Sequence, residues 1–250
     1  MKKIAYREMY ENEIAHFWYI TTRNLMIDFL KKYLRKDAKI LDTGCGTGGT
    51  MIYLQKAGFK NVVGVDKSPE ALKYCRKRKL DRVKLASVDA LPFKKNTFDA
   101  IICLDVLYHK GVQSKKALSE FKRVLKPKGL VYLQEPAYNW LKSKHDKVIE
   151  TGNRFTKVSL QNLVKSSGLE VLKVSYFNTI LFLPIFLKRI KDKFALRDTQ
   201  SSDVYHLPTV FNQVMLYVMT LESKLVKNFY LPWGLSIICI ARKEVKLFYE

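Results

Sequence analysis

The sequence has few acidic residues, few cysteines and no metal-binding motif. Its 250 residues include 45 Lys and Arg against only 23 Asp and Glu, which gives a formal net charge of +22. The four cysteines are scattered singly, at Cys45, Cys75, Cys103 and Cys239. Because none of them lies in a CxxC or similar spacing, the sequence argues against a disulfide framework and predicts no metal site. We expect small buried thiols in a reducing compartment.

The chain also lacks targeting and membrane-spanning signals. Its N-terminal residues do not contain the apolar core of a signal peptide. The apolar stretches at 180–187 and 207–221 fall short of the ~18 to 20 residues that span a bilayer. These absences favour a cytoplasmic protein. With 48% hydrophobic residues, no internal repeat and no low-complexity tract, the sequence predicts a globular chain with a sizeable core.

The excess of positive charge suggests a partner class without naming one. A strongly basic protein attracts polyanions, which include nucleic acid and anionic membrane surfaces. Solvated surface lysines explain the same composition equally well. In 180–194, apolar residues share one helical face next to lysines and an arginine. That pattern fits an interfacial helix on a membrane and, equally, a helical lid over a substrate crevice.

The most informative stretch is 39–49, KILDTGCGTGG. A short apolar run ends in Asp42 and passes into a loop that contains Gly44, Gly46 and Gly48. Glycines let the chain turn sharply and let a ligand lie against bare backbone, and the N-terminus of the following helix offers unpaired N–H groups. A second apolar run ends in Asp66, at the distance where an acidic side chain binds ribose hydroxyls in dinucleotide folds. These features predict a site for a nucleotide-like ligand.

Apolar runs alternate with helical patterns along most of the chain. The predicted strands are 39–42, 61–66, 83–87, 98–104, 130–134, 169–177 and 235–241. Such alternation predicts an α/β protein with a doubly wound, mainly parallel sheet, whose ligand crevice lies at the carboxyl ends of the strands. Because Asp42, Asp66, Asp89 and Asp105 all follow predicted strands, we expect them to line one site.

Together these residues resemble the class I S-adenosylmethionine-dependent methyltransferases of the type-11 superfamily. The segments that carry the resemblance are 42–48, Asp66, 87–93 (SVDALPF) and 98–105 (FDAIICLD). A Rossmann dehydrogenase is the main competitor for the glycine loop, but its G-x-G-x-x-G spacing is not present here. The resemblance implies a Rossmann-like fold with an antiparallel last strand, and S-adenosylmethionine as cofactor.

The resemblance also implies roles for individual residues. The implied cofactor-binding set is Trp18, Arg23, Asp42, Gly44, Cys45, Gly46, Gly48, Asp66, Lys67, Asp89, Ala90, Leu104 and Asp105. In this scheme Asp66 binds the ribose and Asp89 binds the adenine edge, while Asp105 lies beneath the sulfonium. Trp18 and Arg23 belong to a helical N-terminal cap, where the arginine meets the cofactor carboxylate. Ordinary packing of that helix on the sheet explains Trp18 as well.

Methyl transfer is an in-line displacement, so alignment and exclusion of water supply most of the catalysis. A general base can still assist. His109 follows the fourth strand at a position where the family often has a histidine facing the crevice. His145 and Asp146 lie in a segment similar to a little-characterised type-11 subgroup. We take these three as candidate catalytic residues, although a surface-loop role explains His145 equally well.

We expect one domain with three parts: a helical cap at 1–36, a core at 37–177 and 235–243, and an insertion at 178–234 that faces substrate or membrane. No Asn-Pro-Pro-Tyr motif follows the fourth strand, which argues against a nucleic-acid base as acceptor. The leading prediction is a cytoplasmic methyltransferase for a small-molecule, lipid or glycolipid acceptor, with peripheral contact to an anionic membrane as one option. The alternatives are an RNA or protein methyltransferase recruited by charge, and a non-catalytic cofactor-binding partner protein.

Overall fold

The computed structural model describes residues 3–142, 146, 149–194 and 207–244. They form a seven-stranded sheet with helices on both faces. The strands are β1 (Ile40–Thr43), β2 (Val62–Asp66), β3 (Val83–Leu85), β4 (Phe98–Leu104), β5 (Leu125–Pro136), β6 (Leu169–Phe177) and β7 (Ser236–Lys243). The helices are α1 (Lys3–Asn12), α2 (Phe17–Tyr33), α3 (Gly49–Lys56), α4 (Pro69–Lys77), α5 (Ser114–Val124), α6 (Lys157–Ser166), α7 (Phe182–Phe194) and α8 (Thr209–Asn228).

The strand order is β3-β2-β1-β4-β5-β7-β6. The first five strands run parallel, and β7 runs antiparallel to both β5 and β6. Thr43 at the end of β1 lies opposite Val65 on one side and Cys103 on the other. The carboxyl ends of β1, β2 and β4 therefore share one edge of the sheet. This arrangement confirms the predicted doubly wound fold with an antiparallel last strand.

Some element boundaries differ from the prediction for identifiable reasons. The N-terminal cap is two helices, because the chain turns between Asn12 and Phe17 and the side chain of His16 caps α2. Strand β5 starts at Leu125 because the turn residues before Leu130 form an irregularity inside the strand, where the register with β4 shifts. Strand β3 is short and ends at Leu85, before the predicted end at 87.

Two apolar layers fill the faces of the sheet. Helices α2, α3 and α8 contribute to one layer, and α5 and α6 contribute to the other. The predicted insertion holds α7 and α8, and α8 buries Met215, Met219 and Val226 in the first layer beside α2. Its Asn212 side chain accepts a hydrogen bond from the Phe17 amide at 2.9 Å, which ties α8 to the start of α2. The inner face of α8 is thus part of the core.

All four cysteines are buried free thiols, as expected from their spacing. None of the helices in the described ranges combines the length and the hydrophobicity that a membrane-spanning segment needs.

Candidate active site

The glycine loop between β1 and α3 is shaped for close approach. Gly44 has φ +70°, and a Cβ added there would lie 2.4 Å from Cγ2 of Val106. Gly48 has φ +87° and begins α3 without any side-chain cap. Only glycine fits both positions without strain, and the bare start of α3 leaves its backbone N–H groups available. The loop therefore has the geometry that the sequence predicted for a ligand cradle.

Asp66 at the end of β2 organises this loop. Its Oδ2 accepts a hydrogen bond from the Gly46 amide at 3.0 Å, and its Oδ1 accepts one from the Ser68 amide at 2.9 Å. Burial raises the pKa of this carboxyl, and the two amides oppose the rise. The carboxylate joins the glycine loop to the start of α4. Each carboxylate oxygen can accept more than one hydrogen bond, so ribose hydroxyls fit here as additional donors.

Asp42 is the clearest sign that a ligand group belongs next to the loop. It is 2% exposed, and its Oδ2 has no hydrogen-bond partner within the described part of the chain. Burial raises the pKa of this carboxyl to about 7, while the positive charge of Arg23 opposes the rise. A buried acceptor without a donor is costly, and an ammonium group would satisfy it. The methionine portion of S-adenosylmethionine supplies such a group, so these residues fit that cofactor.

The N-terminal helices lie directly on this loop. Met9 of α1 lies 3.0 Å, through its sulfur, from where a Cβ on Gly46 would be. Arg23 of α2 is almost completely buried, and its Nε donates to Oγ1 of Thr50 at 3.3 Å. Its ion-pair partner is Glu13, in the turn between α1 and α2. Trp18, in the first turn of α2, is partly buried and packs against the first apolar layer. The prediction that Arg23 binds a cofactor carboxylate stays a prediction.

The other predicted cofactor residues spread along the same edge. Asp89 accepts a long hydrogen bond from the Gln113 amide at 3.5 Å, and the Ser87 hydroxyl lowers the pKa of its carboxyl. Ala90 is exposed, and so is Lys67, whose charge acts to lower the pKa of Asp66. The pKa of the buried Cys45 thiol is raised, chiefly through its neighbour Cys75 and through burial. These residues border the edge where β1 and β2 end.

Asp105 follows Leu104 at the end of β4 and adopts φ +55°. Burial raises the pKa of its carboxyl to about 7, and the nearby charge of Arg154 opposes the rise. A carboxyl group with a pKa near the working pH can both accept and release a proton. Asp105 is therefore a candidate general base, and its place beneath the sulfonium stays a prediction.

Glu135 holds the segment that follows β4, and the sequence analysis missed it. Its carboxylate accepts hydrogen bonds from the backbone amides of Val106 (3.3 Å), Leu107 (2.9 Å) and Tyr108 (3.2 Å). The side chain is fully buried, which raises the pKa of its carboxyl. The available signal was an acid at the end of the apolar strand LVYLQE.

The structure describes two of the three candidate catalytic residues and places their segments side by side, because His109 pairs with Thr151, whose amide donates to the Asp146 carbonyl at 2.8 Å. Burial lowers the pKa of His109 to about 4, so its ring is a weak base at neutral pH. Its ring stacks on Tyr108, with centroids 4.3 Å apart. Asp146 forms a buried two-point ion pair with Arg154, at 3.0 Å and 2.9 Å. His145 lies outside the described residues. All three assignments stay predictions.

A cluster of aromatic rings lies farther along the same sheet edge, where β5 and β6 end. Its members are Tyr138, Trp140, Tyr176, Phe182 and Phe186. Neighbouring ring centroids are 5.2 to 6.1 Å apart. Trp140 remains 48% exposed, so the cluster presents ring surface to solvent. The sequence predicted the apolar start of α7 but not its contact with Trp140.

An open cavity lies at the opposite edge of the sheet, where β1 and β2 begin. It is lined by residues that include Lys39, Asn61, Arg82 and Phe98. It lies away from the glycine loop and the four strand-end acids, so we do not assign the chemistry to it. In the described ranges, no three His, Cys, Asp or Glu side chains are grouped as a metal ion would require.

Comparison with known proteins agrees with this geometry. Residues 41–133 match the model of a methyltransferase domain. The chain is 35% identical over 161 residues to an uncharacterised protein of Methanocaldococcus jannaschii, which covers 64% of this chain and 66% of that protein. It is 34% identical over 138 residues to human EEF1A lysine methyltransferase 2, covering 48% and 56%. It is 34% identical over 122 residues to the ubiquinone/menaquinone biosynthesis C-methyltransferase UbiE of Wigglesworthia glossinidia brevipalpis, covering 44% and 48%.

Solved structures agree in fold. A SAM-dependent methyltransferase from Methanosarcina mazei aligns with a TM-score of 0.59 and 18% identity, covering 87% of this chain and 98% of that one. Phosphoethanolamine N-methyltransferase 2 of Haemonchus contortus, in complex with S-adenosyl-L-methionine, aligns with a TM-score of 0.58 and 19% identity, covering 89% and 53%.

The matches to curated relatives span between 48% and 66% of those relatives' lengths. The matched domain model includes the glycine loop and ends in β5. The glycine cradle, the unpaired Asp42 oxygen and Asp66 at the end of β2 give the same assignment from the geometry. Residues 41–133 therefore form a methyltransferase domain, and S-adenosylmethionine is the cofactor that its glycine loop, Asp42 and Asp66 fit.

Proposed function

We propose that this chain transfers the methyl group of S-adenosylmethionine to a small apolar or lipid-like acceptor. The aromatic cluster carries the proposal, because Tyr138, Trp140 and Phe182 lie on the sheet edge that also bears the glycine loop. Aromatic walls with few polar groups are typical of sites for apolar ligands. Two comparisons support this class: UbiE is named for quinone biosynthesis, and another structural neighbour is a geranyl diphosphate methyltransferase.

In this proposal the chain's residues have separate tasks. Asp66 and the glycine loop hold the ribose and methionine portions, and the carboxyl of Asp42 receives the ammonium. The bound cofactor supplies an electrophilic methyl group. The aromatic cluster aligns the acceptor and excludes water from it. Asp105, with its pKa of about 7, accepts the proton when the acceptor atom carries one.

The test is a methylation screen with radiolabelled S-adenosylmethionine on lipid, glycan, protein and RNA fractions. We expect label in the lipid fraction, and we expect Trp140→Ala to reduce it by about tenfold, because a stacking partner for the acceptor is lost. Tyr33→Ala is the matched control, since Tyr33 is an exposed aromatic residue on α2 outside the cluster. Label confined to protein or RNA would contradict the proposal.

The outer face of α8 supports a peripheral membrane contact. Its outward row is Val210, Val214, Tyr217, Leu221 and Leu225, which are 42% to 73% exposed. These positions are three or four residues apart and so form one stripe along the helix. The only acid of α8, Glu222, is buried and accepts hydrogen bonds from the amides of Thr179 and Ile180. The stripe thus carries no exposed negative charge.

Lysines and aromatic residues continue this surface beyond the end of α8. Lys173 lies over the Tyr230 ring, with its Nζ 4.3 Å from the ring centroid, and donates to the Phe229 carbonyl at 3.1 Å. Apolar residues flanked by lysines and aromatic rings are typical of interfacial helices on anionic lipids. An enzyme placed there would meet a lipid-like acceptor at the membrane surface. The proposed function therefore includes peripheral contact with an anionic membrane.

Flotation with phosphatidylcholine vesicles, with and without phosphatidylserine, tests this contact. We expect recovery with the anionic vesicles, reduced by salt and by Val214→Ser. Val158→Ser is the matched control, because Val158 is a similarly exposed valine on α6. Equal recovery of both variants would contradict a membrane contact through the stripe. Dimers that disappear with Val214→Ser would instead make the stripe an interface between two copies of the chain.

The lysine methyltransferase relative leaves protein as the second candidate acceptor class. The protein fraction of the same screen tests it. An RNA acceptor held by charge predicts an affinity that falls steeply as salt rises, and an affinity independent of salt would exclude that mode. A non-catalytic partner protein would bind cofactor and label no fraction.

A further inference from the structure

One acidic side chain at the cofactor edge lies between two arginines. Glu13 is 2% exposed and forms ion pairs with Arg23 of α2 and with Arg78, which immediately follows α4. The hydroxyl of Thr47, in the glycine loop, donates to the same carboxylate. Arg78 also donates to the carbonyls of Thr47 at 3.0 Å and Tyr10 at 2.8 Å. Arg78 therefore joins the end of α1 to the glycine loop.

This carboxylate lies against bare backbone at the start of α3. A Cβ added at Gly49 would come within 2.1 Å of a Glu13 carboxylate oxygen and within 2.4 Å of an Arg23 guanidinium nitrogen. The position is favourable for an anion, because two guanidinium groups and the N-terminal end of a helix converge there. The arrangement is a built receptor for one carboxylate, and it includes a residue, Arg78, that the sequence analysis did not identify.

The receptor holds one carboxylate between two guanidinium groups, next to Asp42, whose pKa burial raises to about 7. A ligand that carries both a carboxylate and an ammonium could take the place of Glu13 between the arginines and also donate to Asp42. The methionine portion of the cofactor has both, and the unpaired Asp42 oxygen lies where an ammonium could be accepted.

The family resemblance already implies that Arg23 meets the methionine carboxylate of S-adenosylmethionine. We propose that Arg78 binds this carboxylate together with Arg23, and that Glu13 competes for the same two arginines. Cofactor binding then displaces Glu13 and loosens the attachment of α1 to the glycine loop. When a segment of the protein itself occupies a binding site, the apparent affinity for the ligand falls. It falls in proportion to the fraction of molecules in which the site is free. This proposal rests on the assigned cofactor but not on any particular acceptor.

Calorimetry with S-adenosylhomocysteine and with 5′-methylthioadenosine tests it, because the second ligand lacks the amino-acid end. Glu13→Gln should tighten S-adenosylhomocysteine binding by about tenfold if the Glu13 contact is populated ~90% of the time. Arg78→Ala should weaken it by about tenfold through loss of a charge-assisted hydrogen bond. Neither variant should change methylthioadenosine binding by more than about twofold, which also shows that the variants remain folded.

Matched controls are available on the same two helices. Glu11→Gln removes an exposed acid of α1, and Arg76→Ala removes an exposed arginine of α4. We expect both to bind like the parent protein. Weaker S-adenosylhomocysteine binding by Glu13→Gln would show that Glu13 holds Arg23 in place instead of competing. Unchanged binding by Arg78→Ala would remove Arg78 from the receptor. Absence of binding by the parent protein would instead contradict the cofactor assignment.

Discussion

Asp42 combines a ligand-facing position with a cost to stability that depends on pH. Its folded pKa of about 7 lies above the ordinary value, so the protonated form stabilises the fold. That contribution is fully present below about pH 4 and is lost as pH rises through about 7. Asp42→Asn should therefore gain stability over the parent protein as pH rises, by roughly 1 to 4 kcal/mol at pH ~8. Urea unfolding at pH ~4.5 and ~8 measures this, and an equal difference at both pH values would contradict it.

Glu135 stabilises the segment that places Asp105 at the crevice. Glu135→Ala would leave the buried amides of Val106, Leu107 and Tyr108 without an acceptor. We expect a loss of roughly 2 to 4 kcal/mol in the free energy of unfolding, because buried unsatisfied donors carry their full desolvation cost.

Urea unfolding at neutral pH measures the effect of this change. Glu170→Ala is the control, since Glu170 is an exposed acid on β6 whose pair with Arg242 is also solvent-exposed. A similar small loss in both variants would show that the Glu135 hydrogen bonds do not hold the segment.

Helix α8 has one face that packs in the core and an opposite face that is exposed to solvent. Met219 is fully buried in the layer beside α2, whereas Val210 on the opposite face is 73% exposed. Met219→Ala should lower the free energy of unfolding by roughly 2 to 5 kcal/mol through loss of buried apolar contacts and the cavity left behind. Val210→Ala should change it by less than about 0.5 kcal/mol.

Chemical denaturation of both variants measures this difference between the faces. If Val210→Ala were as destabilising as Met219→Ala, the outward row would be packed in solution. The proposed membrane contact would then lose its surface.

At the level of elements, the sequence predicted most of the central sheet because its signals are local. Strands β4 and β6 matched their apolar runs. The edge that carries Asp42 and Asp66 followed from parallel topology alone. The start of β5 was wrong because a strand irregularity can absorb turn residues that would otherwise end a strand.

The residues that were missed depend on contacts between distant parts of the chain. Glu13 contacts Arg78 because the turn between α1 and α2 places Glu13 next to the start of α3. The predicted role of His109 as a base stays a prediction, and the lowering of its pKa comes from burial that a sequence does not display. The aromatic cluster likewise needs β6 and α7 to bring Tyr176 and Phe182 beside Trp140.

At the scale of the whole molecule, the chain combines a net charge of +22 with the exposed apolar row of α8. In the proposed function these two features bring the enzyme to an anionic membrane, because long-range charge steers association. The cofactor assignment underlies every proposal made for this protein, so it is the claim to test first.

Calorimetric titration of the full chain with S-adenosylmethionine tests that assignment most directly, with Asp66→Ala as the variant and Asp81→Ala, an exposed acid beyond α4, as the control. The account predicts one binding site in the parent protein and in Asp81→Ala. It predicts binding weaker by at least about tenfold in Asp66→Ala, because charge-assisted hydrogen bonds to the ribose are lost. No binding by the parent protein, or equal affinity in all three proteins, would contradict the account.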